Sequence, residues 1–312
     1  MSFLKVLVLG VTGMFGHTLF SQLAGEENLE VYGSARNSDF NRFFTPEYCQ
    51  NIIHPVLGED FESFAICLSD LKPQVVINCI GIIKQVPLAV DALKVITMNA
   101  LLPHRLAVIC KAIGAKLVQI STDCVFSGKK GNYRENDTPD PLDLYGQTKL
   151  LGEVNDKNSL TIRTSIIGHE LKSANGLLEW FLSQNKKVKG FKYAIFNGLP
   201  TIEVAKIFKN YIIPDLAAPI PKLHGLYQVS AEPISKYDLL QLIAKVYQIP
   251  VEIEADDSFY GNRSLNSARF QRITGYSPPS WPELIREMYQ DFITAPYYKN
   301  RWAQEVTKDV QT

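Results

Sequence analysis

Tyr145 and Lys149 stand four residues apart in Leu144-Tyr-Gly-Gln-Thr-Lys149. On a helix they share one face, one turn apart. A phenol with a pKa near 10 exchanges protons poorly at neutral pH unless its phenolate is stabilised, and a nearby ammonium does that. A hydroxyl from Thr122, in Ser121-Thr-Asp123, could hold a carbonyl oxygen beside the phenol. Thr122, Tyr145 and Lys149 together form an acid–base unit suited to carbonyl reduction. Taken alone, the tyrosine–lysine spacing is weak, because such pairs occur by chance on many helices. Its weight comes from the elements around it.

Gly10, Gly13 and Gly16 follow a short apolar run, Val6-Leu-Val-Leu9, and precede a helical pattern. In that context the first glycine allows a tight strand-to-helix turn, the second lets backbone N–H groups approach a pyrophosphate, and the third lets helix and strand pack closely. The expected cofactor contacts are therefore Gly10, Thr12, Gly13, Met14, Phe15 and Gly16. Arg36 lies about 20 residues past Gly16, where an NAD enzyme would often carry an acid for the ribose 2′-hydroxyl. A guanidinium there can bind a 2′-phosphate, which favours NADP(H) over NAD, with a solvated surface arginine as the lesser alternative. Asp60 could accept from the adenine amino group or cap the helix that starts at Phe61; the sequence leaves both open.

Positioning these groups requires strands alternating with helices. Apolar strands are expected at Leu4–Leu9, Leu29–Tyr32, Val75–Asn78, Leu117–Ile120 and Leu160–Ile162, with a weaker one near Ile52–Leu57. Phe15, Leu19, Phe20 and Leu23 share one helical face. Leu101, Leu106, Val108 and Ile109 belong to another helix, bent near Pro103. Alternation of this kind implies parallel pairing through right-handed crossovers, an α/β doubly wound sheet. In the second half, 202–213 and 236–247 read as helices and 226–229 as one more buried strand. Prolines punctuate the loops, and 297–312 reads as a polar, loosely held tail.

The 312 residues carry 32 Lys plus Arg against 32 Asp plus Glu, which argues against a nucleic-acid or anionic-membrane partner. No continuous apolar run reaches the length of a membrane span, and the start does not read as a signal peptide. The five cysteines show no C-x-x-C pair, so neither a disulfide framework nor a metal site is expected, and a cytoplasmic setting fits.

The glycine loop, Ser121-Thr-Asp123, Tyr145-x-x-x-Lys149 and Arg163-Thr-Ser165 resemble the extended short-chain dehydrogenase/reductase superfamily. Within it the chain is similar to the dTDP-4-dehydrorhamnose reductase family, in Ser-Thr-Asp-x-Val-Phe, Tyr-Gly-x-Thr-Lys-Leu-x-Gly-Glu and Gly198-Leu-Pro-Thr201. The likeness covers most of 1–230 and is weaker to about 290. It implies a Rossmann-type domain over 1–167, with later returns near 202–230, and a smaller, interleaved C-terminal substrate-binding lobe over 168–312. It further implies NADPH as cofactor, reduction of the C4 ketone of a nucleotide-linked 4-keto-6-deoxyhexose, and a place in surface-polysaccharide synthesis, with a homodimer as one option for assembly. By the same resemblance Thr122 positions the keto oxygen, Tyr145 donates the proton, and Lys149 lowers the pKa of Tyr145 and binds the nicotinamide ribose. Asn78 and Gly81 lie where the family's fourth strand passes the cofactor. Asn99 stands where the superfamily often has an asparagine, and backbone pairing is its expected role.

Where rhamnose-forming members carry an aromatic residue and a tryptophan, this chain has Cys124 and Ile166. With Asp123, both are expected near the sugar. Lys84 and Gln85 could read a sugar substituent, and Arg263 could bind the diphosphate or serve a structural salt bridge. Cys124 also stands where the related GDP-fucose synthases use a cysteine in epimerisation. That chemistry needs a histidine, and His169 is displaced from its place. Dehydration is disfavoured, because Asp123 is followed by cysteine rather than glutamate. The regulatory β subunit of methionine adenosyltransferase resembles the same family and supplies a non-catalytic alternative.

Overall fold

A computed structural model describes residues 3–57, 59–83 and 92–298. Seven parallel strands form the central sheet: β1 (Leu4–Leu9), β2 (Leu29–Ser34), β3 (Ile52–Ile53), β4 (Val75–Asn78), β5 (Lys116–Thr122), β6 (Ser159–Thr164) and a late strand, Gly225–Gln228. Their order in space is Gly225–Gln228, β6, β5, β4, β1, β2, β3. The order reverses beside β1, so the chain winds helices onto both faces and opens a crevice at the strands' carboxyl ends.

The side chains explain why both faces are covered. Along β1, Val6 and Val8 enter one core while Leu7 and Leu9 enter the other. Val75 and Ile77 of β4 alternate with Val76 in the same way. A strand apolar at every position cannot face water on either side. The first core receives Phe15, Leu19, Phe20 and Leu23 from the helix Met14–Ala24. It continues unbroken into Leu239, Leu240 and Ile243 and into Trp281, Leu284, Ile285 and Met288 of the C-terminal part.

That C-terminal part is built on further strands: β7 (Ile166–Ile167), β8 (Lys187–Phe196), β9 (Leu199–Pro200), then β10 (Gly225–Gln228, the late strand of the large sheet), β11 (Ile234–Ser235) and β12 (Glu252–Asn262). β8 lies between β11 and β12 in a three-stranded sheet, and β7 pairs with β9.

Two helices carry a π-helical turn just before a proline. Ala92–Ile113 is one helical run with a π turn at Thr97–Leu101, ahead of Pro103. Thr201–Leu216 has another at Phe208–Ile212, ahead of Pro214. A proline ring collides with the carbonyl four residues earlier, and a widened turn relieves the collision. The bend expected at Pro103 therefore takes the form of a π turn. Ala92–Ile113 is also apolar and long enough to cross a membrane by composition, which the search for continuous apolar runs did not single out. Half of it is buried, through Leu102, Leu106 and Cys110 among others, as in a helix covering a sheet.

The loose tail expected over 297–312 does not begin at Tyr297, and 299–312 lie outside the described residues. Tyr297 and Tyr298 are 3% and 2% exposed. The Tyr298 hydroxyl is hydrogen-bonded to His17 Nε2 at 2.9 Å, and Tyr297 donates to Asp291. Amphipathic rings were mistaken for polar tail because their apolar bodies outweigh one hydroxyl each.

Candidate active site

The glycine loop closes at the carboxyl end of β1. Gly10 has φ of +83°, which only glycine adopts without strain, and its N–H is held by Ser34 at the end of β2. A Cβ on Gly16 would fall on the Gly10 carbonyl oxygen, so no other residue lets the helix approach the strand. Gly13 differs. A Cβ there would meet only the Gly10 carbonyl oxygen, at 3.4 Å, an ordinary contact. Nothing inside the chain demands glycine at 13, and Gly13 is exposed at the uncapped start of the helix Met14–Ala24. An uncapped helix start with no side chain in front of it fits a dinucleotide pyrophosphate. Thr12 and Met14 border this cradle half-buried, whereas the Phe15 side chain packs edge-on against Phe208 in the core.

Arg36 is exposed just past β2, within electrostatic reach of Glu59. Asp60 takes the capping role: its carboxylate accepts from the N–H groups of Glu62 and Ser63, at 3.0 and 3.3 Å. Asn78 is fully buried with both ends engaged, donating to Gln119 and accepting from Ile80 N. It shapes the turn after β4. Gly81 lies beyond that turn, where a Cβ would come within 3.9 Å of Lys149 Nζ. Asn99 accepts from Ile82 N and donates to Ile82 O, the backbone pairing expected of it.

β5 ends at Thr122 and the helix Leu144–Leu151 starts under an Asp143 cap, which brings the acid–base residues together. The Thr122 hydroxyl lies near enough to the Tyr145 phenol to act on its pKa. It also donates to Asp123 Oδ1 at 3.1 Å and accepts from Cys124 N at 3.2 Å. Lys149 is 6% exposed, and its ammonium donates to the Ile120 carbonyl at 2.5 Å. Burial pulls its pKa down to about 8, opposed by the Glu153 carboxylate. Tyr145 departs from expectation. Burial, with Cys124, Asp123 and Asp143 nearby, pushes its phenol well above 10, opposed by the Thr122 hydroxyl. The ammonium expected to lower it faces the Ile120 carbonyl.

A network absent from the sequence reading holds this arrangement. Glu153, one turn past Lys149, accepts two hydrogen bonds from Arg163 and one from Ser121, all at 2.6–2.7 Å. It ties the helix to β5 and β6 on either side of Thr122. An arginine just after the buried run Leu160-Thr-Ile162 was the available signal, since a buried guanidinium needs a carboxylate.

Cys124 and Asp123 are half-buried beside Tyr145, with both charges felt at the phenol. Ile166 is half-buried at the start of β7. Arg263 donates through Nε to the Phe126 carbonyl at 2.8 Å, so it fastens the C-terminal segment to the loop after β5 through a backbone oxygen rather than a salt bridge. Lys84 and Gln85 lie outside the described residues. His169 is engaged elsewhere: its ring bonds Glu179 at 2.8 Å and the Tyr247 hydroxyl at 2.9 Å, and it stacks on Phe292. Among the described residues no cluster of metal ligands occurs.

Comparison with known proteins agrees with this architecture. The chain is 32% identical to methionine adenosyltransferase 2 subunit beta of Mus musculus, over 93% of this chain and 91% of that protein. With the Xenopus laevis subunit the match is 30% over 48% of this chain and 41% of the relative, so it spans less than half of that protein. The spore coat polysaccharide biosynthesis protein SpsK of Bacillus subtilis is 28% identical over 92% of this chain and 97% of its own. Among solved structures, a hypothetical dTDP-4-dehydrorhamnose reductase from Sulfolobus tokodaii superposes with a TM-score of 0.73 at 25% identity, covering 89% of this chain and 98% of that one. The dTDP-4-dehydrorhamnose reductase of Bacillus anthracis, in complex with NADP, gives 0.75 at 20%, covering 93% and 99%. The RmlD substrate binding domain model matches residues 4–294, and the chain belongs to that family.

Proposed function

We propose that the protein is an NADP(H)-dependent oxidoreductase that reduces the C4 ketone of a nucleotide-linked 4-keto-6-deoxyhexose. The observation that carries this reading is the convergence of Thr122, Tyr145 and Lys149 at the mouth of β5. Gly10, Gly13, Arg36 and Lys149 would hold the cofactor, which when bound supplies the hydride for the carbonyl carbon. Tyr145, protonated at neutral pH, gives its proton to the carbonyl oxygen as charge develops there. Thr122 has one proton, which points at Asp123 in the structure. Turning it toward the substrate would aim the carbonyl oxygen at the phenol. Lys149 has three N–H donors, of which Ile120 takes one. Its charge, one helical turn along from Tyr145, would stabilise the phenolate left after proton transfer.

The combined epimerase and reductase loses ground, because His169 is bound to Glu179 and Tyr247. A regulatory role remains the second reading, favoured by the likeness to methionine adenosyltransferase 2 subunit beta. The test is NADPH oxidation with a panel of 4-keto-6-deoxy sugar nucleotides carrying dTDP, UDP or GDP. Turnover with at least one supports the reductase. NADPH binding without turnover on any of them supports the regulatory reading.

A further inference from the structure

Residues 170–176 lie between β7 and the helix Leu177–Leu182 and touch both the turn after Arg36 and the start of the helix Met14–Ala24. The segment has a built-in shape. Glu170, 4% exposed, folds its carboxylate back to accept from Ser173 Oγ and from the backbone N–H groups of Asn175 and Gly176, at 2.7–2.9 Å. At one end Gly176 lies against Met14, so closely that a Cβ would come within 2.7 Å of its terminal methyl. Near the middle, Lys172 Nζ reaches Asp39 Oδ2 at 3.4 Å and sits 5.7 Å from the centre of the Phe43 ring. Asp39 belongs to the turn after Arg36, where the Asn37 side chain accepts from Asp39 N.

We propose that this segment is a strap over the adenosine half of the cofactor site, and that Lys172 is a second cation for the cofactor's 2′-phosphate, with Asp39 holding its place beforehand. The proposal rests on the reading that the cofactor is NADP(H).

The physical case is one of exchange. The Lys172 and Asp39 side chains are 32% and 52% exposed, and ion pairs that open to water contribute little. A phosphate dianion carries twice the charge of a carboxylate and more acceptor oxygens, so it competes well for the same ammonium. Arg36 approaches the turn from β2 and Lys172 from the strap, so the phosphate would close a link between the two parts of the chain. No motif predicts this, because 136 positions separate the two cations.

The experiment measures dissociation constants by titration calorimetry for NADPH, NADH, 2′,5′-ADP and 5′-ADP. Lys172→Met is expected to weaken NADPH and 2′,5′-ADP by about 10-fold and to leave NADH and 5′-ADP unchanged. Asp39→Asn is expected to tighten NADPH and 2′,5′-ADP several-fold, and to do nothing once Lys172 is methionine. Equal weakening of NADPH and NADH by Lys172→Met would overturn the proposal and leave the strap a purely structural element. So would weaker NADPH binding by Asp39→Asn. Arg36→Ala separates the two levels of the argument. If it removes the preference for NADPH while Lys172→Met does not, the strap proposal alone falls. If the wild-type protein shows no preference for NADPH, the cofactor reading falls with it.

Discussion

The cofactor end and the substrate end of the crevice are built differently. At the cofactor end the determinants are backbone features: a positive φ at Gly10, a carbonyl that forbids a side chain at Gly16, and a bare helix start at Gly13. At the end where a substrate is expected they are half-buried side chains outside the central sheet, Asp123, Cys124, Ile166 and Arg263, three of them set by local turns or short strands. Backbone constraints admit one residue type and leave a readable spacing. A loop side chain can change without disturbing the sheet, so it records which substrate is bound only through contacts that the chain does not make with itself. The same contrast runs through the catalytic residues. Tyr145 and Lys149 are placed by helix geometry, but their proton affinities are tuned by burial and by neighbours both near and far in sequence.

The largest expected effect separates two glycines of one loop. Gly13→Val should abolish NADPH binding with the melting temperature nearly unchanged. Gly16→Ala should instead destabilise the fold by roughly 1–3 kcal/mol or more, because its Cβ meets backbone. Calorimetric titration with thermal unfolding checks both, and a Gly13→Val protein that binds NADPH normally would erase the distinction. Next in size is Arg36→Ala, which should raise KM for NADPH by about 10- to 150-fold and leave NADH nearly unchanged, as expected for loss of a charged hydrogen bond of roughly 1.5–3 kcal/mol.

Lys149 sharpens the comparison because it joins a helix position to a tuned charge. Its pKa in the fold, about 8, lies below its ordinary value of 10.5. The folded state is therefore penalised where the lysine must be charged, below pH 8, and the penalty fades as pH rises from 8 toward 10.5. Lys149→Met should raise stability by roughly 2 kcal/mol at pH 7, after loss of the Ile120 hydrogen bond, and the gain should shrink above pH 9. Denaturant unfolding at the two pH values measures it. Reduction by the wild-type enzyme should fall as pH rises through about 8, when the ammonium is lost. The smallest effect is expected at Cys124. Cys124→Ala should change kcat for reduction by no more than a few-fold, whereas a loss comparable to that of Tyr145→Phe would revive the epimerase reading.

These effects follow what the sequence made legible. The parallel strands were readable because β4 buries every residue and β1 all of Val6–Leu9, and the glycine loop because its spacing is imposed by the turn. The four-residue interval put Tyr145 and Lys149 on one face. The direction of the Lys149 ammonium was not readable, since its partner is a main-chain carbonyl on another element. Nor was the Glu153–Arg163–Ser121 network, which unites three elements over 43 residues. Asp60 could not be divided between cap and ligand until the helix start was seen. Tyr297 and Tyr298 were taken for tail because their anchors, His17 and Asp291, include a residue 281 positions away.

The central claim is that Tyr145 protonates the carbonyl oxygen of a bound ketone. The most direct measurement is kcat of Tyr145→Phe on the 4-keto sugar nucleotide turned over best by the wild-type enzyme, with NADPH affinity measured alongside. Phenylalanine keeps the ring and removes only the hydroxyl. The account predicts a fall in kcat of about 10²–10⁴-fold with NADPH binding largely kept. Near-normal reduction by the variant would contradict it.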